Sequence, residues 1–331
     1  MKFISNRHIT DPTVNLALEE YCVRNLDVEN DSYFLFYINE PSIIIGKHQN
    51  TIEEINSAYV KKHNIHVVRR ISGGGAVYHD HGNLNFSFIT KHTNDSINNF
   101  GKFTGPISQC LKQMGVNAEL GGRNDITVEG RKISGNAQFT NTKSMFSHGT
   151  LLFDSHLENV VDALNVKLDK IKSKGIKSIR SRVANITEYL TVKITIEAFR
   201  DILTDYIFGG RDKAVAQVLS EDDWKKVYEL SDSKYRTWKW NYGRSPEFNI
   251  QKVHRFPFGQ IDTRIFVRDG VIKHVKIFGD YLGYGETEDI ESLLIGIFYK
   301  EDKIKDVLKD IDMKFYFGDI TVEEFVRYLF N

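Results

Sequence analysis

The spacing of apolar and polar residues changes character several times along the chain. Over residues 15–26, Leu16, Leu18, Tyr21, Cys22 and Leu26 fit an amphipathic helix with a broad apolar face. Residues 33–38 and 42–46 are short aromatic or β-branched runs, and Asn39-Glu40-Pro41 between them suggests a hairpin. A helix is expected over 52–63 and a strand over 65–71. Beyond Ser72-Gly73-Gly74-Gly75, a second alternating run reaches Ile89. It sets Leu84, Phe86 and Phe88 on one face against Asn83, Asn85 and Ser87 on the other. Residues 100–114 read as a helix whose start is blurred by Gly101 and Gly105-Pro106.

Strands are expected over 125–139 and 148–153. Helical patterns then dominate from Leu157 to about Leu230, interrupted by a basic loop at 172–182. Periodicity fades over 238–248, where Gly243 and Pro246 fall, and this stretch is the expected boundary between domains. Past it, strands 261–268 and 271–278 flank Asp269-Gly270, the strongest short hairpin signal in the chain. Helices follow near 290–298, 303–310 and 322–329. The expected fold class is α+β, with a large mixed-sheet domain over 1–246 and a small α+β domain over 247–331.

Composition narrows the function. With Lys plus Arg and Asp plus Glu both at 44, no net field draws nucleic acid or an anionic membrane, so neither is an expected partner. No apolar run approaches a membrane span, and MKFISNRHITDPTVNLALEE lacks the apolar stretch of a signal peptide. Cys22 and Cys110, the two cysteines, sit in helical patterns as buried free thiols rather than a disulfide or metal site. A cytoplasmic location is expected.

Candidate chemistry gathers in two places. Three consecutive glycines, Gly73 to Gly75, cost conformational entropy and belong where backbone turns tightly or meets a ligand. Their N–H groups, with Arg69 and Arg70 beside them, suit an anion such as phosphate; a purely structural turn fits as well. His79 and Asp80 either orient this loop or cap its end, the structural role being favoured for His79. The second place is GGRNDITVEGRKISGNAQF over 121–139. A two-residue turn at Glu129-Gly130 would oppose Val128 to Arg131, Thr127 to Lys132, Ile126 to Ile133 and Asp125 to Ser134. Asp125, Thr127, Lys132 and Ser134 then share the face away from the core. Lys132, between a carboxylate and hydroxyls, would hold a phosphate or polarise a carbonyl, unless it is an ordinary solvated lysine. The small residues Gly135 and Ala137 beyond it permit close ligand approach.

Taken together, RRISGGGAVYHDHGNLN (69–85), GRND (122–125), KISGNAQ (132–138), HGTLL (148–152) and KSIRSRVAN (177–185) resemble the ordered motifs of lipoate–protein ligase A, in the biotin/lipoate protein ligase superfamily. The resemblance spans essentially the whole chain. It implies that lipoate and MgATP give lipoyl-AMP and pyrophosphate, after which a carrier lysine takes the lipoyl group, the chemistry of lipoate salvage. ATP, magnesium and lipoate would be co-substrates, with no tightly bound cofactor. The resemblance assigns the nucleotide to Arg70, Gly75, Ala76, Val77, Tyr78, Lys132 and Asp125, with Asp125 also a candidate for magnesium. Lipoate would fall to Lys132, Tyr37, Ser72, Gly73, Gly74, Asn83, Gly135, Ala137 and His148, Lys132 being catalytic. Tyr37 stands near where the family often has a tryptophan, a departure bearing on chain-length preference, or is an ordinary core tyrosine; Arg180 and Arg182 are equally compatible with a solvated loop. Expected partners are lipoyl domains of 2-oxoacid dehydrogenase E2 subunits or the glycine-cleavage H protein, and a monomer is the family default. The alternatives are an octanoyltransferase using a cysteine thioester and a non-catalytic binder. The arginine-rich loop of biotin–protein ligases is absent.

Overall fold

A computed structural model describes residues 1–164, 182–242 and 248–330. Gly243, Pro246, the expected boundary at 246/247, Arg180 and most of the basic loop lie outside the described residues. The chain forms two compact units: Met1–Ile44, Ile55–Val68 and Val77–Thr237 make the first, and Ile45–Glu54, Arg69–Ala76 and Trp238–Asn331 the second.

In the first unit an eight-stranded mixed sheet runs in the order β11-β1-β2-β6-β10-β9-β8-β7. Its members are β1 (Lys2–Ile4), β2 (Tyr33–Ile38), β6 (Asn83–Lys91), β7 (Glu119–Gly121), β8 (Asp125–Val128), β9 (Arg131–Thr140), β10 (Ser144–Leu152) and β11 (Ala216–Gln217). β1 pairs in parallel with β2 and β11, and every other pairing is antiparallel. A smaller sheet orders β4 (His66–Arg69), β3 (Ser42–Ile45) and β5 (Val77–His79) as β4-β3-β5. The hairpin expected between β2 and β3 is therefore absent, because the two runs lie in different sheets. Asn39-Glu40-Pro41 has no residue pair suited to the positive φ of a tight turn, and the two runs, buried except at Ile38, each lie inside their own sheet.

Leu84, Phe86 and Phe88 enter the core as the alternation predicts, packed with Ile126, Val128 and Ile133 of the hairpin. Phe103, Ile107 and Leu111 of α4 (Phe100–Gln113) and Phe199 and Leu203 of the Ile196–Phe208 helix close that side. The opposite, polar face of β6 is buried as well, and α1 (Pro12–Asn25) packs against β6 and β10. Asp11 caps α1 by accepting from Thr13 N, and Pro12 opens it three residues before the expected start. Nor is α1 amphipathic: it is buried from Pro12 to Val23, Glu19 and Glu20 included. The helix expected over 52–63 is two, α2 (Thr51–Glu54) and α3 (Ser57–Lys62), because the Asn56 side chain starts a new helix by accepting from Tyr59 N.

In the second unit, β12 (Ile250–Phe256), β13 (Gly259–Arg268) and β14 (Val271–Gly279) form an antiparallel sheet. Asp269 and Gly270 both hold positive φ, 56° and 75°, as the hairpin signal requires. The helices Thr287–Leu294, Glu301–Leu308, Met313–Phe317 and Val322–Phe330 cover the sheet through Ile290, Ile304, Met313 and Phe325. The first of these ends at Leu294, ahead of Gly296 at φ 85°, rather than at 298. The structure of the chain is thus α+β, with a large mixed sheet and a small C-terminal sheet with helices.

Candidate active site

The lysine hairpin turns where its sequence says. Glu129 and Gly130 take φ of 51° and 76°, and Val128 opposes Arg131 and Thr127 opposes Lys132. Beyond that pair the expected register fails: a bulge next to Ile126 sets Ile126 opposite Ser134 and Asp125 opposite Gly135. Ser134 is consequently buried with its hydroxyl accepting from Asn136 Nδ2, not beside the lysine. The shift aims Asp125 at Lys132, and Oδ1 lies 2.8 Å from Nζ. A side chain at Gly135 would put its Cβ 2.7 Å from the same Nζ, so the ammonium lies folded over bare backbone. The Lys132 backbone is fixed in turn: its N–H donates to Arg182 O, and its carbonyl accepts from Ala184 N. Residues 182–185, the described end of the last sequence motif, thus brace the lysine.

The ladder gathers other candidates on one face of the large sheet. Ser87 and Ala137 each pair with His148, Asn85 pairs with both Thr150 and Tyr37, and Asn83 pairs with Leu152. Gly135 N donates to Thr150 Oγ1, and Asn83 Nδ2 donates to Asn85 Oδ1, whose Nδ2 donates to Tyr37 O. Tyr37, Asn83, Gly135, Ala137 and His148 therefore share one face across four adjacent strands, with Lys132 and Asp125 at its Gly135 end. Sequence reasoning missed Glu19 of α1. Its carboxylate lies 2.9 and 3.0 Å from His148 Nδ1, and Glu19 is 1% exposed. The signal was two adjacent glutamates between apolar residues, Leu16-Ala17-Leu18 before them and Tyr21-Cys22-Val23 after.

Val77 and Tyr78 lie on β5, where Asn159 Nδ2 donates to the Tyr78 hydroxyl and burial pushes that hydroxyl's pKa up. His79 Nδ1 meets Asn39 Nδ2 at 3.0 Å, and Asp80 accepts from Gly82 N and His156 N. Both hold the chain that follows β5, in line with the structural role favoured for His79.

The second unit holds the rest of the glycine loop. Arg70 bends over it: Nη2 donates to Gly73 O (2.6 Å) and Gly75 O (2.9 Å), and Nε donates to Ser72 Oγ. Gly73 has no room for a side chain, since a Cβ would fall 2.5 Å from Tyr281 O. Gly75 is exposed with open space about it, and Ala76 is half-buried. Arg69 is no ligand donor. Its guanidinium, 1% exposed, donates to the carbonyls of Gly46, Lys47, Gln49, Trp240 and Asn241 and to Thr51 Oγ1. The expectation that Arg69 helps hold an anion is corrected, because its guanidinium is spent on these carbonyls and on Thr51 Oγ1.

Residues 11–208 match the lipoyl protein ligase A/B catalytic domain, and residues 245–329 match the bacterial lipoate protein ligase C-terminus. The chain belongs to the lipoate–protein ligase family. It is 57% identical to lipoate-protein ligase LplJ of Bacillus subtilis over the full length of both chains. Among solved structures it is similar to Plasmodium falciparum LipL1 in complex with lipoate (TM-score 0.77, 27% identity, 94% of each chain). It is also similar to a bi-partite lipoate protein ligase described with its E2 lipoyl domain from Thermoplasma acidophilum (TM-score 0.65, 28% identity, 75% of this chain and 98% of that one). Lipoate-protein ligase A bound with ATP matches at a TM-score of 0.62 with 29% identity, over 70% of this chain and 94% of that one.

For this lipoate ligase a thioester route has no suitable cysteine. Cys22 and Cys110 are free but buried at 0% and 1% exposure; burial pushes the Cys22 thiol far up and the Cys110 thiol to about 11. Among the described residues, no helix is long and apolar enough to cross a membrane. None of them form a group of three or more His, Cys, Asp or Glu placed to hold a metal ion.

Proposed function

We propose that the chain activates lipoate with ATP and passes the lipoyl group to a lysine of a lipoyl carrier domain. A lipoate carboxylate oxygen would attack the α-phosphorus, the bond to the bridging oxygen would break, and pyrophosphate would leave with the electron pair. The carrier's neutral ε-amine would then attack the acyl carbon of lipoyl-AMP. The carbon–oxygen bond to phosphate breaks, AMP leaves, and the amine proton passes to solvent. No covalent enzyme nucleophile is needed, because the mixed anhydride is already reactive.

The observation that carries this is Lys132 confined between Asp125 and the bare backbone of Gly135. A fixed ammonium suits the charge that develops on the acyl oxygen and the phosphate in both steps, and it needs no rearrangement during them. Gly135 and Ala137 give a low floor beside it, with His148 on the adjoining strand and Asn83 and Tyr37 on the two strands beyond. Burying an acyl chain of about eight carbons is worth roughly 6 kcal/mol. The Arg70-braced backbone from Ser72 to Gly75, running on through Ala76 and Val77 to Tyr78, is proposed for the phosphates and the activated carboxyl. Magnesium would arrive as MgATP, ligated mostly by phosphate oxygens and water, with Asp125 able to add a carboxylate oxygen. The lipoate- and ATP-bound neighbours support the two co-substrates, and the neighbour studied with its E2 lipoyl domain supports an E2 carrier, the H protein being the second candidate. A cytoplasmic setting suits ATP and two unpaired thiols.

The test is pyrophosphate release from lipoate or octanoate with MgATP and no carrier, followed by transfer to an E2 lipoyl domain and to H protein. Release before carrier is added supports the adenylate route. Acyl transfer that proceeds with no ATP present would overturn it.

A further inference from the structure

We propose that the carrier domain anchors in a second cavity of the first unit, which takes one apolar side chain of the carrier with a carboxylate beside it. The inference rests on the ligase reading above and adds to it a place where the acyl acceptor is held.

The cavity measures about 260 Å³. Buried Phe36 and Leu84, with half-buried Ile38 and Ile196, make it apolar within, and His8, His81, Glu197 and Arg200 line its exposed part. Sites for drug-sized ligands run from about 300 to 1,000 Å³, so this one suits a single anchoring side chain. Its charged groups are set to donate. The Glu197 carboxylate accepts from its own N–H and from the Thr195 hydroxyl, which hold it below the usual carboxylate range. Arg200 Nη2 lies 3.5 Å from Asp201 Oδ1, a carboxylate that Arg211 also holds, so most guanidinium N–H groups remain for an incoming carboxylate. The exposed imidazoles of His8 and His81 add further donors.

The backbone is bent to bring His8 there. Arg7 and His8 hold φ of 56° and 58° in succession, a conformation that side-chain-bearing residues rarely adopt. Asn6 fixes the turn: its Oδ1 accepts from His8 N, and its Nδ2 donates to Ile9 O and Asn15 Oδ1. Arg7 is tied to Glu221 and lies over the Trp224 ring. Strain held from this many sides marks a place where the bent chain is used. Position names the user. Ile38 ends β2, and Leu84 and Lys132 are the second residues of β6 and β9, so all three lie at one end of the large sheet. β2 and β9 are three strand spacings apart, about 14 Å. A standard interface of about 800 Å² per partner is roughly 30 Å across. Centred on Lys132, where the carrier's lysine must arrive, it reaches the cavity.

Lipoyl transfer is titrated with whichever of an E2 lipoyl domain and H protein is the better acceptor, beside pyrophosphate release without carrier. Arg200→Ala should raise the carrier KM about tenfold and leave carrier-free release unchanged. Thr10→Trp, which fills the cavity from a half-buried lining position, should do the same. His8→Gly suits the positive φ, so Tm should not fall while the carrier KM rises, a split that a merely structural His8 would not give. A carrier KM within twofold of the unsubstituted protein in both Arg200→Ala and Thr10→Trp overturns the proposal. Slower carrier-free release in those two variants also overturns it, because the cavity would then serve the acyl or nucleotide site. Should the unsubstituted protein release no pyrophosphate, the ligase reading fails by itself. Calorimetric titration with the carrier then decides this inference, and equal affinity in Arg200→Ala overturns it.

Discussion

Asp125 and Gly135 confine the Lys132 ammonium from two sides, and each offers a separate way to disturb it. Lys132→Ala should abolish lipoyl-AMP formation in a folded protein, read as pyrophosphate release beside an unchanged Tm. Near-normal release would remove Lys132 from the mechanism. Gly135→Ala is subtler: the new methyl displaces only the flexible end of Lys132, so stability should hold, while kcat falls on the order of 10²-fold from misplacement alone. The steady-state rate and the melting curve of the same preparation separate these effects. At this scale the sequence showed which residue types to examine and little of their use. Arg69 and Arg70 are adjacent and chemically identical. One is buried among carbonyls of segments far apart in the chain and the other bends over its own loop, a division set by tertiary contacts that no local pattern encodes. Glu19 was hidden for the same reason, its partner His148 lying on a strand remote in sequence.

The number of periods in an element accounts for part of what was legible, although the seven-residue β12 was missed. β2 and β6 were found because six and nine residues show alternation or a clear apolar run, whereas β1, β7 and β11, at three, three and two residues, have too few. Glu129-Gly130 and Asp269-Gly270 announced their turns, but the bulge in the first hairpin left no trace in composition. Helix α1 shows another limit, since a buried helix can carry charge if every charge is met. Burial alone would push the Glu20 carboxyl up, but Lys234, Tyr235 and Arg24 outweigh it and hold it below the usual carboxylate range. A carboxylate depressed by folding adds stability above its unfolded pKa of about 4.3 and loses it as the pH falls further. Glu20→Gln should therefore cost about 3 kcal/mol at pH 7 and flatten the acid side of the Tm-against-pH curve. Thermal melts from neutral pH to about pH 3 would test this. An equally steep acid limb in the variant would show that Glu20 is not the group being titrated.

For the molecule as a whole, both thiols are buried, which favours the proposed adenylate route over a thioester. Substituting Cys22 and Cys110 together with alanine should leave ligation within about threefold of normal, each site losing only a small buried group. Total loss of transfer by a variant that still melts cooperatively would revive the thioester route. The two-part architecture was legible from composition and pattern, but its second part is assembled from three stretches of chain, which sequence order cannot express. That assembly bears on how the protein is made. The glycine loop leaves the ribosome early, yet Gly74 donates its N–H to Tyr281 O and Gly73 packs against Tyr281 and Leu282. Those residues are translated about 200 positions later, a delay of roughly 10–40 s at ordinary elongation rates. During synthesis the loop must wait without its packing partner, so the most distinctive stretch of the sequence is among the last to settle.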